Sequence, residues 1–285
     1  MTLFRYFDAA GGLATLISKK MRFASPLRFN DPFELTPRVE KPPDTLMLER
    51  LHAPHIIEEY FCSVGSKEGL SREDSQKRYI EEELPKRFDR LRSDAGWSER
   101  ALKLRWDNIG IFADSFRLLC CSHREDSILM WSHYAERHRG LVIEFDPSLL
   151  IPGVDLSSEA YDVRYRTNPP IMPALDSSAT NHEESILRVM STKALEWSYE
   201  EEVRILFPRP DGLDREQPHD QPFDPLCITR VIVGCYDHPT AKTYDAVNAL
   251  ANNLEYNHVR FQRAYLHQSD YRLVFADRNV AAAAI

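Results

Sequence analysis

An α+β fold is what this sequence predicts, and three observations predict it. Short apolar runs of strand length recur along the chain, at Leu3–Phe7, Phe116–Ser122, Leu141–Phe145 and Ile228–Gly234. Helix-periodic segments interrupt them without the regular strand–helix–strand rhythm of a doubly wound sheet. A content of 43% hydrophobic and 11% aromatic residues is enough for a sizeable core. At 285 residues the chain exceeds the usual size of one domain without requiring two. The expectation is one α+β domain over residues 1–285, with a helical insertion at about 40–113.

Taken in order, Leu3–Phe7 reads as a strand broken by Gly11-Gly12. A helix begins at Leu13 and ends near Lys19-Lys20, cations suited to a helix C-terminus. Met21-Arg22-Phe23-Ala24 alternates as a second strand. In Phe29-Asn30-Asp31-Pro32-Phe33-Glu34 the proline holds Asp31 extended and Asn30 suits an Asx turn, which makes an ordered turn carrying two aromatics. From Glu40 to Ala113 the texture changes. Ser71–Ser93 and Ser98–Trp106 are charge-rich and helix-periodic, with Leu84, Phe88 and Leu91 on one stripe. That stretch reads equally as a helical lid or as a solvated spacer. Strand Phe116–Ser122 follows, and Asp126 or Ser127 caps a helix running to about His138 and stopped at Gly140. Leu141–Phe145 and Tyr161–Arg166 read as strands, Pro169 to Asn181 as a loop, Glu183–Leu195 as a helix and Tyr199–Phe207 as a strand. Ile228–Gly234, Val259–His267 and Tyr271–Ala276 complete the strands, beside a helix around Thr240–Leu254.

Several function classes are disfavoured. No run approaches ~20 apolar residues, so no membrane span is expected. Met1–Tyr6 lacks the pattern of a secretion signal. Five cysteines without a Cys-x-x-Cys pair fit reduced thiols, and the expected location is the cytoplasm. A net charge of −8 opposes non-specific attraction to a polyphosphate backbone, yet leaves room for a small anion held by local arginines.

Three constellations could carry chemistry. In Tyr199-Glu200-Glu201-Glu202-Val203-Arg204-Ile205-Leu206-Phe207, strand alternation turns Glu201, Val203, Ile205 and Phe207 to the core and Glu200, Glu202 and Arg204 the other way. Two carboxylates beside a cation can form a ligand site. The same pattern describes the solvated face of an edge strand, and the residues alone favour that plainer reading. Met130, Tyr134 and His138 form one line on a helix, which is more often a packing face than a ligand set. His133 and His138 are five apart and so do not make a zinc pair, and no metal site is expected. Cys120 and Cys121 lack an adjacent base and read as core thiols.

The segments Phe29–Glu34, Met130–Tyr134, Gly140–Asp146 and Trp197–Ile205 together resemble a large bacterial family of unknown function, itself similar to some phage abortive-infection proteins. A fainter resemblance is to the ADP-ribosyltransferase fold, a mixed, split β-sheet core. It is carried by Arg5 in an early strand, Ser122 ending a mid-chain strand, the following helix and Gly-started strand, and Glu200-x-Glu202 in a late strand. Ser122 departs from the Ser-Thr-Ser triplet of that fold. The resemblance implies an enzyme that transfers ADP-ribose from NAD, as a toxin or phage-defence effector. Glu202 would stabilise the positive charge that develops on the ribose, and Glu200 would position or deprotonate the acceptor. Arg5 would pair with the pyrophosphate, Ser122 would hold the ribose, Tyr134 would stack on the nicotinamide and Asn30 would wall the cleft. The acceptor, a protein or nucleic acid, stays open, as does an antitoxin partner. The competing classes are a non-enzymatic sensor or interaction module of a defence system, with salt-bridged glutamates, and a nuclease holding Mg²⁺ on Glu144, Asp146 and Glu202.

Overall fold

The computed structural model of the chain describes residues 1–41, 43–94, 96–173, 179–236 and 242–277. In chain order the strands are β1 (Leu3–Phe7), β2 (Lys20–Phe23), β3 (Arg38–Glu40), β4 (Phe116–Ser122), β5 (Leu141–Phe145), β6 (Ala160–Asp162) and β7 (Arg164–Arg166). They continue as β8 (Ile171–Pro173), β9 (Thr192–Ala194), β10 (Glu202–Pro208), β11 (His219–Pro222), β12 (Ile228–Val233), β13 (Arg260–Leu266) and β14 (Leu273–Asp277). The helices are α1 (Ala9–Ser18), α2 (Asp44–Leu51), α3 (Pro54–Tyr60), α4 (Arg72–Arg78), α5 (Leu84–Arg92), α6 (Trp97–Ser115), α7 (Ile128–Tyr134), α8 (Ala179–Met190) and α9 (Lys242–Ala251). The expected α+β class is what the chain adopts. Its contacts group into two units: Met1–Leu35 with Ile109–Pro169 and Met190–Ile285, and Thr36–Asn108 with Pro170–Val189.

The first unit is built on an eight-stranded mixed sheet in the order β14-β13-β12-β5-β1-β4-β10-β6. β1 pairs with β5 along its whole length, and β4 with β10 from Ser122↔Glu202 to Phe116↔Pro208. β1 and β4 meet at one pair alone, Phe4↔Ser122. Beyond that pair they part, and Ala24 takes up the ladder against Leu118, with N–H···O distances of 2.7 and 3.0 Å. The sheet therefore carries a wedge at its middle.

Alternation along the strands divides the apolar residues between two faces. Leu3, Leu119, Ile143, Val203, Ile205 and Val231 pack with Leu16 of α1 and Val247 of α9. Phe4, Tyr6, Val142 and Ile232 pack on the other side with Met130 and Trp131 of α7. Ser127 caps α7 by accepting from the Met130 N–H. Helix α1 starts at Ala9, ahead of the expected Leu13, because Asp8 accepts from the Gly11 N–H at 2.6 Å and caps it. At Gly12 a Cβ would come 2.5 Å from the Leu141 side chain, so the glycine admits close approach of α1 to β5.

Three further boundaries differ from expectation. Tyr161–Arg166 divides into β6 and β7, the latter pairing in parallel with β9. Helix α8 stops at Met190, which puts Lys193 on β9 instead of on a helix reaching Leu195. The loop expected over Pro169–Asn181 contains β8, and its residues 174–178 lie outside the described residues, as do residues 240–241 of the expected Thr240–Leu254 helix.

The second unit has a core of its own, made by Leu51, Tyr60, Tyr79 and Leu84 with Phe88 against them. The Tyr79 hydroxyl donates to the Leu51 carbonyl at 2.8 Å. A solvated spacer would bury no such cluster, so that alternative fails for this stretch. Leu91, expected on the same stripe, is exposed. Among the described residues no helix is long and apolar enough to cross a membrane.

Candidate functional site

A cavity of about 380 Å³ occupies the wedge. Phe4, Arg5 and Tyr6 of β1 form one wall, and Cys120 and Cys121 of β4 the facing one. The segment after β2 adds Arg28, Phe29, Asn30 and Glu34, and α7 adds Met130 and Tyr134. Lys193, Glu200 and Glu202 close the remaining side. The volume lies in the ordinary range for small-molecule sites, and apolar rings with a few convergent charges are the usual lining of such sites.

One backbone feature brings the two glutamates together. Glu200 ends a 3₁₀ turn over Leu195–Glu200 and Glu202 begins β10, with Glu201 between them in the left-handed region at φ 41°. They do not share a face through strand alternation. The left-handed residue swings both carboxylates inward and leaves Glu201 outside, where it pairs with Arg124 at 3.2 Å. A non-glycine residue in this conformation costs about 1–3 kcal/mol and persists where its surroundings over-determine it. Here the Ser122 hydroxyl donates to the Glu200 carbonyl at 2.5 Å, and the His123 N–H donates to the Glu201 carbonyl at 3.0 Å.

Behind the wall lies a buried network of three carboxylates and two cations. Lys193 Nζ donates to Glu200 Oε2 at 2.6 Å and to Glu202 Oε2 at 3.0 Å. Arg204 Nε and Nη2 donate to Glu202 at 2.9 and 3.1 Å, Nη2 also contacts Glu34, and Nη1 donates to the Met190 carbonyl at 2.7 Å. The Tyr134 hydroxyl donates to Glu200 Oε1 at 2.7 Å. Arg204 is 0% exposed and Glu202 5%. Fully ionised, the network carries one surplus negative charge.

Burial raises the Glu202 carboxyl to about 7, against the lowering effect of the Lys193 ammonium and with Glu200 adding to the rise. Burial lowers the Arg204 guanidinium from its ordinary value against the opposing Asp31 carboxylate, and with Glu34 and Glu202 in contact it remains a cation. Tyr134 is pushed up by burial and then by its bond to Glu200. Burial also holds the Cys120 and Cys121 thiols high, Cys120 further so because Glu202 is beside it, which suits inert thiols.

Five of the residues named from sequence therefore meet at one cavity: Arg5, Asn30, Tyr134, Glu200 and Glu202. Ser122 does not line it. This residue is 0% exposed and its hydroxyl proton is committed to the Glu200 backbone, so it braces the turn from behind. Arg5 Nη1 donates across the wedge to the Arg22 carbonyl at 2.7 Å. The edge-strand reading of the Glu200–Arg204 stretch fails, because β10 lies between β4 and β6 and both Glu202 and Arg204 are buried. The Asx turn belongs to Asp31, whose Oδ1 accepts from the Phe33 N–H at 2.9 Å, and not to Asn30. His138 leaves the line of Met130 and Tyr134, since α7 ends at Tyr134. Glu144 pairs with Arg230 at 2.6 Å and Asp146 caps its own turn through the Ser148 N–H, on a strand separated from β10 by β1 and β4. Those two and Glu202 do not converge. Sequence reading missed Lys193 and Glu34. For Glu34 the signal was present, as the last residue of the Phe29–Glu34 turn.

Residues 130–205, about a quarter of the chain, match the family described as Protein of unknown function (DUF2971). That stretch begins with the cavity-lining part of α7 and ends within β10, so it spans Tyr134, Lys193, Glu200, Glu202 and Arg204. No curated protein and no solved structure matches the chain.

Proposed function

We propose that this cavity takes the nicotinamide–ribose part of NAD and that the protein transfers ADP-ribose from it to an acceptor. The observation that carries the reading is the convergence of Arg5, Asn30, Tyr134, Glu200 and Glu202, from four separate stretches of chain, on the wedge between β1 and β4. NAD supplies a glycosidic bond whose cleavage develops positive charge on the ribose. The Glu202 carboxylate, fixed by Arg204 and Lys193, offers preorganised negative charge in a site of low dielectric constant, where it is worth more than in water. Glu200 turns one oxygen to Tyr134 and the other to Lys193, which places it to orient an acceptor. Arg5 and Arg28 give the wall two guanidiniums for a pyrophosphate. Phe4, Phe29 and Tyr134 supply rings against which a nicotinamide can lie. In this scheme Ser122 serves the reaction indirectly, by holding the Glu200 turn, and not as a ribose ligand.

The interaction-module reading expects salt-bridged glutamates, and these are salt-bridged. It does not account for an open cavity beside them, since a purely structural network would be packed over. Thermal-shift titration with NAD, followed by labelling of bacterial lysate with isotopically tagged NAD, separates the two. NAD is expected to raise the melting temperature of the wild type and of Glu202→Gln alike, because ligands of the native state stabilise it. Labelling is expected to fall at least about 100-fold in Glu202→Gln, the scale of losing one preorganised charge partner. No shift and no turnover in the wild type would overturn the reading.

A further inference from the structure

Lys193 stands at the centre of the buried network, where it halves the surplus negative charge that Arg204 alone would leave, and its contacts go beyond charge balance. Its ammonium lies 2.6 Å from Glu200 Oε2, 3.0 Å from Glu202 Oε2 and 3.8 Å from Glu34 Oε1. The Trp197 ring centroid is 4.9 Å away. Arg204 already pairs with both Glu34 and Glu202, and it does so through a planar fork that suits carboxylates well. Arg204 makes no contact with Glu200 among the hydrogen bonds of the described residues. Lys193 does, and in bridging to Glu202 it joins the one carboxylate that Arg204 leaves out to one of the two that Arg204 holds. A desolvated ammonium on a flexible stem is costly to hold, and here the two glutamates it touches offset that cost. The chain thus spends a buried cation on coupling two glutamates.

We propose that Lys193 is the positioning residue of this site, bridging the Glu200 and Glu202 carboxylates and fixing which of their oxygens faces the cavity. The catalytic part of this assignment rests on the NAD reading above; the coupling of the carboxylates does not. Glu202 is faced by Lys193 from β9, Arg204 from β10, Glu200 from the preceding turn, Cys120 from β4 and, through Arg204, Glu34 from the segment after β2. The Tyr165 hydroxyl of β7 accepts from the Glu202 backbone N–H at 2.7 Å. Of these groups Lys193 alone touches both carboxylates of the pair, among the hydrogen bonds of the described residues. With Lys193 in place, Glu200 is free to hold Tyr134 with its second oxygen. Without the ammonium between them, two buried carboxylates would repel, and one would keep its proton to higher pH.

The test is a carbon-13 titration of glutamate carboxyls in the intact chain, with Glu202→Gln assigning the Glu202 signal, run beside the pH profile of NAD-dependent labelling. In Lys193→Gln the Glu202 midpoint is expected to rise by about one pH unit or more, the shift that loss of a single close ion pair produces. The acid limb of the labelling profile should rise with it, kcat should fall about 10- to 100-fold and KM should change by less than about threefold, the pattern of a positioning group. Lys193→Arg is expected to restore the position of the limb. Glu200→Gln, which keeps Lys193, is expected to lower the Glu202 midpoint and guards against a Lys193 variant that fails to fold. A Glu202 titration that superimposes on wild type in Lys193→Gln, or one that does not move in Glu200→Gln, overturns the proposal whatever NAD does. A wild type that neither binds nor turns over NAD ends the NAD reading, and the carboxyl titration then decides the coupling by itself.

Discussion

Two arginines among the described residues of the first unit are completely buried, Arg117 on β4 and Arg204 on β10, and they are satisfied in opposite ways. Arg117 gives its donors to neutral backbone carbonyls: Ala113 at 2.7 Å, Phe116 at 2.8 Å, Asp214 at 2.7 Å, Arg215 at 3.1 Å and Gln217 at 2.8 Å. It ties the 214–217 stretch to the start of β4 and meets no carboxylate there. Arg204 meets Glu34 and Glu202, with a single backbone carbonyl to complete its set. The first arrangement is a structural clamp, since backbone dipoles take all its hydrogen bonds and Asp114 and Asp214 act on it only as nearby charges. The second hands its charge to side chains that line a cavity. The lesson is that burial of a cation says little, and the identity of its acceptors says whether chemistry is near.

The largest effect expected from this contrast is on folding stability. Arg204→Met leaves Glu34 and Glu202 buried with half their counter-charge and should cost about 3–5 kcal/mol in urea unfolding. Arg117→Met strips several carbonyls of their donor and should cost about 3 kcal/mol, because each orphaned acceptor costs about 1–3 and some will find water. The contrast appears on adding Glu34→Gln. In the Arg204→Met background it should recover at least about 1 kcal/mol, and in the Arg117→Met background it should shift stability by no more than about 0.5 kcal/mol beyond its own effect. Equal behaviour in the two backgrounds would break the comparison.

A smaller effect is the pH dependence of stability. The Glu202 carboxyl is raised to about 7 in the folded chain, above its ordinary 4.5, with burial the leading cause. A raised folded value means that the native state binds the proton more tightly than the unfolded chain. The stabilisation is therefore fully present below about pH 4.5 and is lost as pH rises through about 7. Glu202→Gln removes this dependence, so wild type minus variant should slope downward between those values by up to about 1.4 kcal/mol per pH unit. A flat difference across that window would place the surplus proton elsewhere in the network. Nothing comparable is expected at Arg117, whose carbonyl partners do not titrate.

How much of this could be read beforehand divides along physical lines. Leu3–Phe7, Phe116–Ser122 and Leu141–Phe145 match β1, β4 and β5 residue for residue, because unbroken apolar runs ended by polar or turn-forming residues leave little choice. The glutamates attract notice as charged groups beside an apolar segment, whereas Arg5 and the binding role of Tyr134 enter only through the resemblance to the ADP-ribosyltransferase fold. Lys193 attracts no notice, since a lone lysine in a helix-like stretch resembles any solvated lysine, and only the early stop of α8 turns it inward. Nor can the left-handed Glu201 be read from its identity, because glutamate has no leaning to that conformation. The wedge itself arises from a single-pair contact of β1 with β4, a matter of tertiary register that no local pattern encodes.

The smallest effects concern backbone strain, and they separate strain that serves the site from strain that does not. Glu136, Arg137 and His138 follow one another in the left-handed region, with φ of 48°, 55° and 65°. They return the chain from α7 to β5 and are held by the His138 N–H donating to the Trp131 carbonyl and the Gly140 N–H to that of Ala135, at 3.0 and 2.9 Å. Each such residue costs about 1–2 kcal/mol, and glycine avoids the cost at the expense of a looser unfolded chain. Arg137 is exposed, so Arg137→Gly should gain about 0.5–1 kcal/mol and raise the melting temperature by about 1–3 °C. At Glu201 the same gain is offset by loss of the exposed Arg124 pair, worth about 0.5 kcal/mol, so Glu201→Gly should be close to neutral. On the proposed NAD reading, the readout that distinguishes the two is NAD turnover. Arg137→Gly should leave it unchanged, whereas Glu201→Gly, by loosening the residue that aims both carboxylates, should lower it several-fold at unchanged stability. Equal turnover in the two variants would mean that Ser122, Lys193 and Arg204 hold the glutamates without help from the bend between them.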